Sequence, residues 1–286
     1  MIKLALTDLD DTLIPYGAPS ASVRAIAAIG SLLDKGIHFG PVSGRVPDAM
    51  GWMFADEGRC FATGAFANGQ VVRIDGEVVH EESLESALLQ EVADLLDGRE
   101  APALLATYDV YGNSAPVFVT RRRGALVDEL MDGAGKEATV VSAVGGTSWL
   151  KSNVHCACDR DEMAQIRDLL RQELPELGFV FPSLVAPFID ISPAGWDKGA
   201  AVRWMAAELG IGLDEVATFG DSENDLSMIE AVPNSVAVAN AADVVAQAAR
   251  WHIGPSEEDA VAAALEDIAQ AAETDGLPAF MGGGVA

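Results

Sequence analysis

Large and small side chains alternate without a break at the start of the chain, up to a group of acids. The run over residues 2–7 is typical of a buried strand, and it ends at the acidic segment 8–11. Apolar residues at helical spacing predict a helix over 20–35, and a second strand comes next at 37–42. A strand, a helix and a strand at this spacing favour parallel pairing through a right-handed crossover, and therefore a doubly wound α/β sheet.

The same alternation returns near the end of the chain, where the pattern predicts helices over 198–209 and 225–230 and short strands over 216–219 and 236–238. Because parallel strands need helical crossovers, we expect these elements to join the first ones in a single sheet. Both ends of the chain would then form one core.

The middle of the chain has a different pattern, with strands close to one another along the sequence. Helices are predicted over 84–96 and 162–174, and strands over 104–111, 117–120 and 149–158. Short turns such as Gly112-Asn113 favour an antiparallel sheet. We therefore predict a core made of residues 1–80 and 186–286, an inserted α+β domain at 81–185, and a flexible C-terminal tail around the glycines 282–284.

Composition narrows the classes of partner. The 286 residues carry a net charge of −26, which opposes binding to nucleic acids. A small phosphorylated ligand would also be repelled unless a cation reverses the field in its site, so this interpretation needs a divalent metal. No membrane span or signal peptide is predicted, and the odd set Cys60, Cys156 and Cys158 favours a reducing cytoplasm. The oligomeric state has no signature in the sequence.

Four segments carry polar groups suited to phosphate chemistry: the acids of 8–11, the run Ser43-Gly44-Arg45, Lys198 at a helix start, and the acidic loop 220–225. Ligands of open parallel sheets bind beyond the carboxyl ends of the strands, so we expect these segments to converge. Carboxylates that converge repel one another, and a hard divalent cation relieves that repulsion. Each segment taken singly also has an ordinary interpretation, as a helix cap, a turn or a solvated lysine.

In their order along the chain, these motifs resemble the haloacid dehalogenase (HAD) superfamily, and within it the Cof-like phosphatases that carry a large type-2 (C2B-like) cap. The matching segments are DLDDT at 8–12, VSGR at 42–45, ANG at 67–69, DISPAGWDKG at 190–199, GDSENDLSM at 220–228 and VAVANA at 236–241. The resemblance implies a Rossmann-like core with an α+β cap. It also implies a Mg²⁺-dependent phosphatase that hydrolyses small phosphomonoesters, such as sugar phosphates, through an aspartyl phosphate.

Carried over by position, the resemblance implies that Asp8 is the nucleophile and that Asp10 is the general acid and base. Magnesium would be held by Asp8, the backbone carbonyl of Asp10 and Asp221, with Asp225 ordering the shell behind them. The phosphoryl oxygens would be held by Ser43, Gly44, Lys198 and Asn224.

The resemblance also implies that the cap selects the substrate. Candidate substrate contacts are the three arginines Arg45, Arg121 and Arg123, although the basic run 121–123 can equally be a solvated turn. Two alternatives to a phosphatase stay open: a phosphomutase or phosphotransferase that shields the phosphoenzyme from water, and a non-enzymatic phospho-receiver. The order of the motifs and the large insertion argue against the receiver.

Overall fold

The computed structural model describes residues 1–112, 115–135, 137–183, 185–274 and 276–282. Contacts divide the chain into two compact units, one formed by Met1–His80 with Asp197–Ala286 and the other by Glu81–Trp196. The predicted α/β class with a parallel core sheet is confirmed. Asn113 of the predicted turn Gly112-Asn113 and the predicted tail after residue 282 lie outside the described residues.

The first unit begins with the expected alternation of strands and helices. Its early elements are β1 (Leu4–Thr7), α1 (Val23–Asp34), β2 (His38–Pro41), α2 (Met50–Met53), β3 (Gly64–Phe66), β4 (Val71–Ile74) and β5 (Glu77–Glu81). Helix α1 starts at the N-cap Ser22, whose hydroxyl accepts a hydrogen bond from Ala25 N at 2.9 Å. Strands β3, β4 and β5 form a small sheet of their own.

The second unit is an α+β module built on a six-stranded sheet. Its elements are β6 (Leu84–Glu85), α3 (Ser86–Gly98), β7 (Ala103–Thr107), β8 (Val117–Val119), α4 (Ala125–Ala134), β9 (Thr139–Val141), β10 (Ser148–Trp149), β11 (Ser152–Cys156), α5 (Arg160–Glu173), β12 (Leu177–Val180) and β13 (Phe188–Pro193). The sheet order is β12-β13-β11-β7-β8-β9, antiparallel except for the parallel pair β8–β9.

One strand extends this unit beyond the predicted boundary at residue 185. Strand β13 pairs with both β11 and β12, so the compact unit reaches Trp196. One face of the sheet packs against α3 and α5 in an apolar core that includes Leu89, Leu105, Val154 and Ile166. The strand pairing therefore holds the segment before Trp196 in this unit.

The chain then returns to the first unit and completes its sheet. The late elements are α6 (Lys198–Glu208), β14 (Val216–Gly220), α7 (Leu226–Ala231), β15 (Asn234–Ala237), α8 (Asp243–Ala248), β16 (Trp251–His252), α9 (Ala260–Thr274) and α10 (Ala279–Gly282). The parallel order is β16-β15-β14-β1-β2, with Leu4 paired to both Val216 and His38. Because β1 and β14 are neighbours and parallel, the loops after them leave the sheet side by side. In the described part of the chain, each helix is too short or too polar to cross a bilayer.

Candidate active site

Three aspartates meet where β1 and β14 end. The backbone N–H of Asp8 continues the sheet by donating to Phe219 O at 2.9 Å. The carboxylates of Asp8, Asp221 and Asp225 each have an oxygen within 4.8 Å of the others, and all three residues are buried. The structure thus brings together the two acidic segments that the sequence places more than two hundred positions apart.

The loop after β14 is held by the third of these aspartates. Asp225 Oδ2 accepts hydrogen bonds from the backbone N–H groups of Asp221 at 2.9 Å and Ser222 at 3.0 Å. A side chain at Gly220 would not fit, because its Cβ would lie 2.7 Å from Asp225 Cβ. Glycine at this position therefore allows the loop to fold back over Asp225.

Asp221 is oriented by two hydroxyl groups. Thr12 Oγ1 donates to Asp221 Oδ1 at 2.8 Å, and Ser222 Oγ donates to Oδ2 at 2.6 Å. Neither hydroxyl was among the candidate site residues from the sequence, although both lie inside the matched motifs. Hydrogen bonds to both oxygens favour the ionised form of this carboxylate and fix its plane.

Lys198 lies between two of the carboxylates. It is the first residue of α6, whose N-cap Asp197 accepts a hydrogen bond from Ala200 N at 2.8 Å. Only 1% of Lys198 is exposed, and its Nζ donates to Asp8 Oδ1 at 2.5 Å and to Asp225 Oδ1 at 2.6 Å. The ammonium thus compensates charge on both carboxylates at once.

The charges of this cluster do not balance, since three carboxylates face one ammonium. Burial, followed by the charge of Asp225, raises the pKa of Asp8 well above its usual value, and Lys198 only partly opposes this. Burial and Asp225 likewise raise the pKa of Asp221 to about 7. Burial alone would lower the pKa of Lys198, but the charges of Asp225 and Asp8 outweigh it and raise that pKa. The ionised cluster therefore carries excess negative charge.

This excess suits a divalent cation. The donors offered by Asp8, Asp221 and Asp225 are all carboxylate oxygens, which suit Mg²⁺, Ca²⁺ or Mn²⁺ rather than metals that prefer nitrogen or sulfur. A cation of charge +2 would also offset the surplus of two negative charges. The residues present therefore fit the metal that the sequence predicts. A ligand role for the Asp10 backbone carbonyl stays a prediction.

The predicted phosphate-binding groups lie on adjoining segments of the same unit. Ser43 follows β2, is 1% exposed, and donates its N–H to Ala65 O at 2.9 Å, with Gly44 next to it. Asn224 Nδ2 donates to Asn68 Oδ1 at 3.3 Å, and Asn68 N donates to Ser43 O at 2.9 Å. Asn68 was not a candidate from the sequence. Its left-handed backbone (φ 58°), a conformation that asparagine tolerates better than most residues, was the available signal.

The candidate substrate arginines make local contacts. Arg45 forms two hydrogen bonds with the carboxylate of Asp10, so Asp10 points its side chain to this guanidinium. In the second unit, Arg121 pairs with Asp94 at 2.9 Å, and Arg123 Nη1 donates to a backbone carbonyl at 2.8 Å. Substrate contact by Arg121 and Arg123 stays a prediction.

Comparisons with known proteins give one consistent class. A family model described as haloacid dehalogenase-like hydrolase matches residues 5–265. A putative phosphatase of Haemophilus influenzae is 25% identical over 277 residues, which are 93% of this chain and 98% of the relative. HMP-PP phosphatase of Citrobacter koseri is 23% identical over 248 residues, 84% of this chain and 85% of the relative. The solved structure of SMU.1108c from Streptococcus mutans has a TM-score of 0.80 at 19% identity, covering 94% of this chain and 99% of that one.

Proposed function

The chain belongs to the haloacid dehalogenase-like hydrolases, and from this premise we propose that it is a Mg²⁺-dependent phosphatase that hydrolyses small phosphomonoesters through an aspartyl phosphate on Asp8. Sugar phosphates or similar metabolites are the proposed substrates. The observation that carries the proposal is the buried meeting of Asp8, Asp221 and Asp225, with Lys198 in contact with Asp8 and Asp225. The predicted resemblance to this superfamily, and its hydrolase class, are confirmed.

The proposed reaction has two displacements. An oxygen of Asp8 bonds to phosphorus while the bond from phosphorus to the leaving oxygen breaks, and the carboxyl proton of Asp10 passes to that oxygen. A water molecule then gives a proton to Asp10 and attacks phosphorus. The bond between phosphorus and Asp8 breaks, phosphate leaves, and both aspartates return to their starting forms.

The other groups supply position and charge, which is most of what phosphoryl transfer requires. The Lys198 ammonium, 2.5 Å from the nucleophilic carboxylate, offsets the repulsion between Asp8 and an anionic ester. Ser43, Gly44 and Asn224 are assigned to the remaining phosphoryl oxygens. Magnesium held by Asp8, the backbone carbonyl of Asp10 and Asp221, with Asp225 ordering the shell behind them, would neutralise phosphoryl charge.

The test is phosphate release from p-nitrophenyl phosphate and a panel of sugar phosphates by the purified protein. We expect hydrolysis with Mg²⁺ and none after EDTA treatment. Asp8→Asn should lower the rate by about 10³-fold or more, because a carboxamide cannot form the acyl phosphate. Failure of the wild-type protein to release phosphate from any ester with Mg²⁺ would refute the proposal.

Asp11→Asn is the matched control for the nucleophile. Asp11 lies on the same loop with a left-handed backbone (φ 64°), which asparagine adopts readily, and it is outside the aspartate cluster. We expect its activity to stay within about threefold of wild type, as for substitutions away from the reacting groups.

Transfer of phosphate to an added sugar in place of water would favour the phosphotransferase alternative. Location in a reducing cytoplasm stays a prediction, in keeping with the three cysteines being free thiols.

A further inference from the structure

One arginine joins the loop of Asp10 to the loop of Ser43. Arg45 Nε donates to Asp10 Oδ2 at 2.9 Å, and Arg45 Nη2 donates to Asp10 Oδ1 at 2.7 Å. Both hydrogen bonds use the same edge of the guanidinium, so the two planar groups face each other in the bidentate geometry. A contact of this kind fixes the plane of the carboxylate as well as its position.

The backbone of Arg45 is held by the core of the first unit. Arg45 N donates to Ser43 Oγ at 3.2 Å, and Ala67 N donates to Arg45 O at 2.9 Å. Ser43 itself is 1% exposed, and its N–H donates to Ala65 O on β3. The guanidinium therefore extends from a well-anchored point.

Asp10 is less constrained by its surroundings. Its side chain is 48% exposed, in contrast to the buried Asp8 two positions earlier. An exposed carboxylate on a loop samples several rotamers, and only some of them direct it at a given reacting atom. Within the described residues, the hydrogen bonds that select one orientation of the Asp10 carboxylate come from Arg45.

We infer that Arg45 is a positioning residue that holds the Asp10 carboxyl in the orientation from which it exchanges a proton with the leaving oxygen and then with water. The inference rests on the proposed function. A carboxylate has about four acceptor positions, so the two hydrogen bonds from Arg45 leave capacity for a proton. When one oxygen carries the proton, the other still accepts from the guanidinium.

Direct contact between Arg45 and the substrate is the competing role, and it predicts different kinetics. Loss of a substrate contact would raise KM for every ester by a similar factor. Loss of a positioned acid should instead lower kcat/KM most for esters whose leaving group needs a proton. An alkoxide leaves poorly without one, whereas p-nitrophenolate is already a stable anion.

The experiment compares Arg45→Gln with wild type on p-nitrophenyl phosphate and glucose 6-phosphate. General acid catalysis contributes about 10²- to 10⁴-fold, so misplacing the acid should lower kcat/KM for the sugar ester by about tenfold or more. The kcat/KM for the aryl ester should fall by less than about threefold, because p-nitrophenolate leaves with little help from a general acid. Equal losses on the two esters, or a change confined to KM, would overturn the inference.

Arg24→Gln is the matched control for loss of an ion pair. Arg24 Nε and Nη2 donate to the two carboxylate oxygens of Glu266 at 2.9 and 2.7 Å, the same geometry as at Arg45. The exposures are also alike, with side-chain values of 46% for both arginines. We expect Arg24→Gln to leave the ratio of the two kcat/KM values unchanged. A selective effect equal to that of Arg45→Gln would contradict the inference.

Adding Arg45→Gln to a protein that already carries Asp10→Ala separates the two possible roles of Arg45. If Arg45 acts through Asp10, then Arg45→Gln should cause no further loss of kcat/KM once Asp10 is removed. If the two losses multiply, Arg45 acts on the substrate itself and the inference fails. A wild-type protein that releases phosphate from no ester of the panel with Mg²⁺ would refute the proposed function and the inference together. Wild-type hydrolysis of both, with equal losses in Arg45→Gln, would refute the inference alone.

Discussion

Each unit of the molecule buries a lysine that contacts at least one carboxylate, but the charges around the two lysines differ. In the first unit, Lys198 is 1% exposed and contacts Asp8 and Asp225, and an oxygen of Asp221 lies within 4.8 Å of oxygens of these two carboxylates. In the second unit, Lys151 is 7% exposed and its Nζ lies 2.6 Å from Asp190 Oδ1. The first cluster has an excess of negative charge, whereas the second pairs one cation with one anion.

The difference separates a site that needs a ligand from a pair that is complete by itself. A closed ion pair satisfies its own charge, and its cost of desolvation is offset by the partner. A cluster with a surplus of two negative charges is repulsive until a cation enters it. Neutralising one aspartate should therefore have opposite consequences in the two units, and three measurements test this.

The largest expected effect is in the second unit. Asp190→Asn would leave the Lys151 ammonium buried without its anion, and Asn153, whose Nδ2 also donates to Asp190 Oδ1, would lose an ionic acceptor. Breaking a buried pair in this way costs about 3–5 kcal/mol of unfolding free energy. Urea denaturation of wild type and variant measures the change.

Two further variants show whether the loss comes from the broken pair. Asp168→Asn on α5 removes a carboxylate that is 64% exposed, and we expect a change below about 0.5 kcal/mol. The double substitution Lys151→Met with Asp190→Leu should cost less than Asp190→Asn alone, because it leaves no unpaired charge. A loss for Asp190→Asn as small as that of Asp168→Asn would show that the pair is not essential to this unit.

The sequence predicts the first cluster better than the second. Asp8 and Asp221 come directly after apolar runs that are typical of strands, and neighbouring parallel strands bring the residues at their carboxyl ends to one edge of the sheet. The pair of Lys151 with Asp190 had no such signal. It depends on the register that places Asn153 opposite Asp190, and antiparallel register is set by tertiary packing rather than by local pattern.

Side-chain partners were also beyond the reach of the sequence. The motif positions indicate that Lys198 and Asn224 lie near the cluster, but not that Lys198 contacts Asp8 and Asp225 or that Asn224 contacts Asn68. These contacts depend on rotamers chosen by the packed structure. Helix α9 was not among the predicted elements, although its buried residues, such as Val261, Leu265 and Ile268, recur at helical spacing on one side.

The second measurement concerns the cluster of Asp8, Asp221 and Asp225, where we expect the substitution to raise the free energy of unfolding rather than lower it. Without metal and above pH 7, Asp221 is ionised in both folded and unfolded states, and its pKa of about 7 means that burying this charge opposes folding. Asp221→Asn removes the charge, although an amide oxygen replaces only one of two acceptors for Thr12 and Ser222. We expect unfolding free energy to rise by about 1–3 kcal/mol at pH 8 in EDTA.

Adding Mg²⁺ should make the wild-type protein more stable than Asp221→Asn. A ligand that binds only the folded state stabilises it in proportion to the logarithm of its concentration over Kd, so the midpoint for wild type should rise with Mg²⁺. The midpoint for Asp221→Asn should rise much less, because a carboxylate that would hold the metal is lost. If Asp221→Asn destabilises the metal-free protein as Asp190→Asn does, the two clusters do not differ in the way their charges indicate.

The smallest expected effect is a pH dependence that differs between the two units. Burial, aided by the charge of Lys151 and opposed by Asp190, lowers the pKa of His155 from 6.5 to about 4. The unfolded chain therefore binds a proton that the folded chain does not, and stability is lost as the pH falls from 6.5 to 4. Protonation of Asp221 acts in the other direction, because a raised carboxyl pKa makes the first unit more stable as the pH falls below 7.

The contribution of His155 to the pH dependence of stability can be isolated by comparing variants at pH 7 and pH 4.5. Over this range, the free energy of unfolding of the wild-type protein should fall by about 1–2 kcal/mol more than that of His155→Phe. This value is smaller than the whole pKa shift of His155 implies, because the side chain is only partly buried. His252→Gln, which alters an exposed histidine, should keep the wild-type pH dependence. In Asp190→Asn the His155 pKa, measured by NMR, should fall further, since the opposing negative charge is gone. A rise in that pKa would show that the Lys151–Asp190 pair does not set the local field.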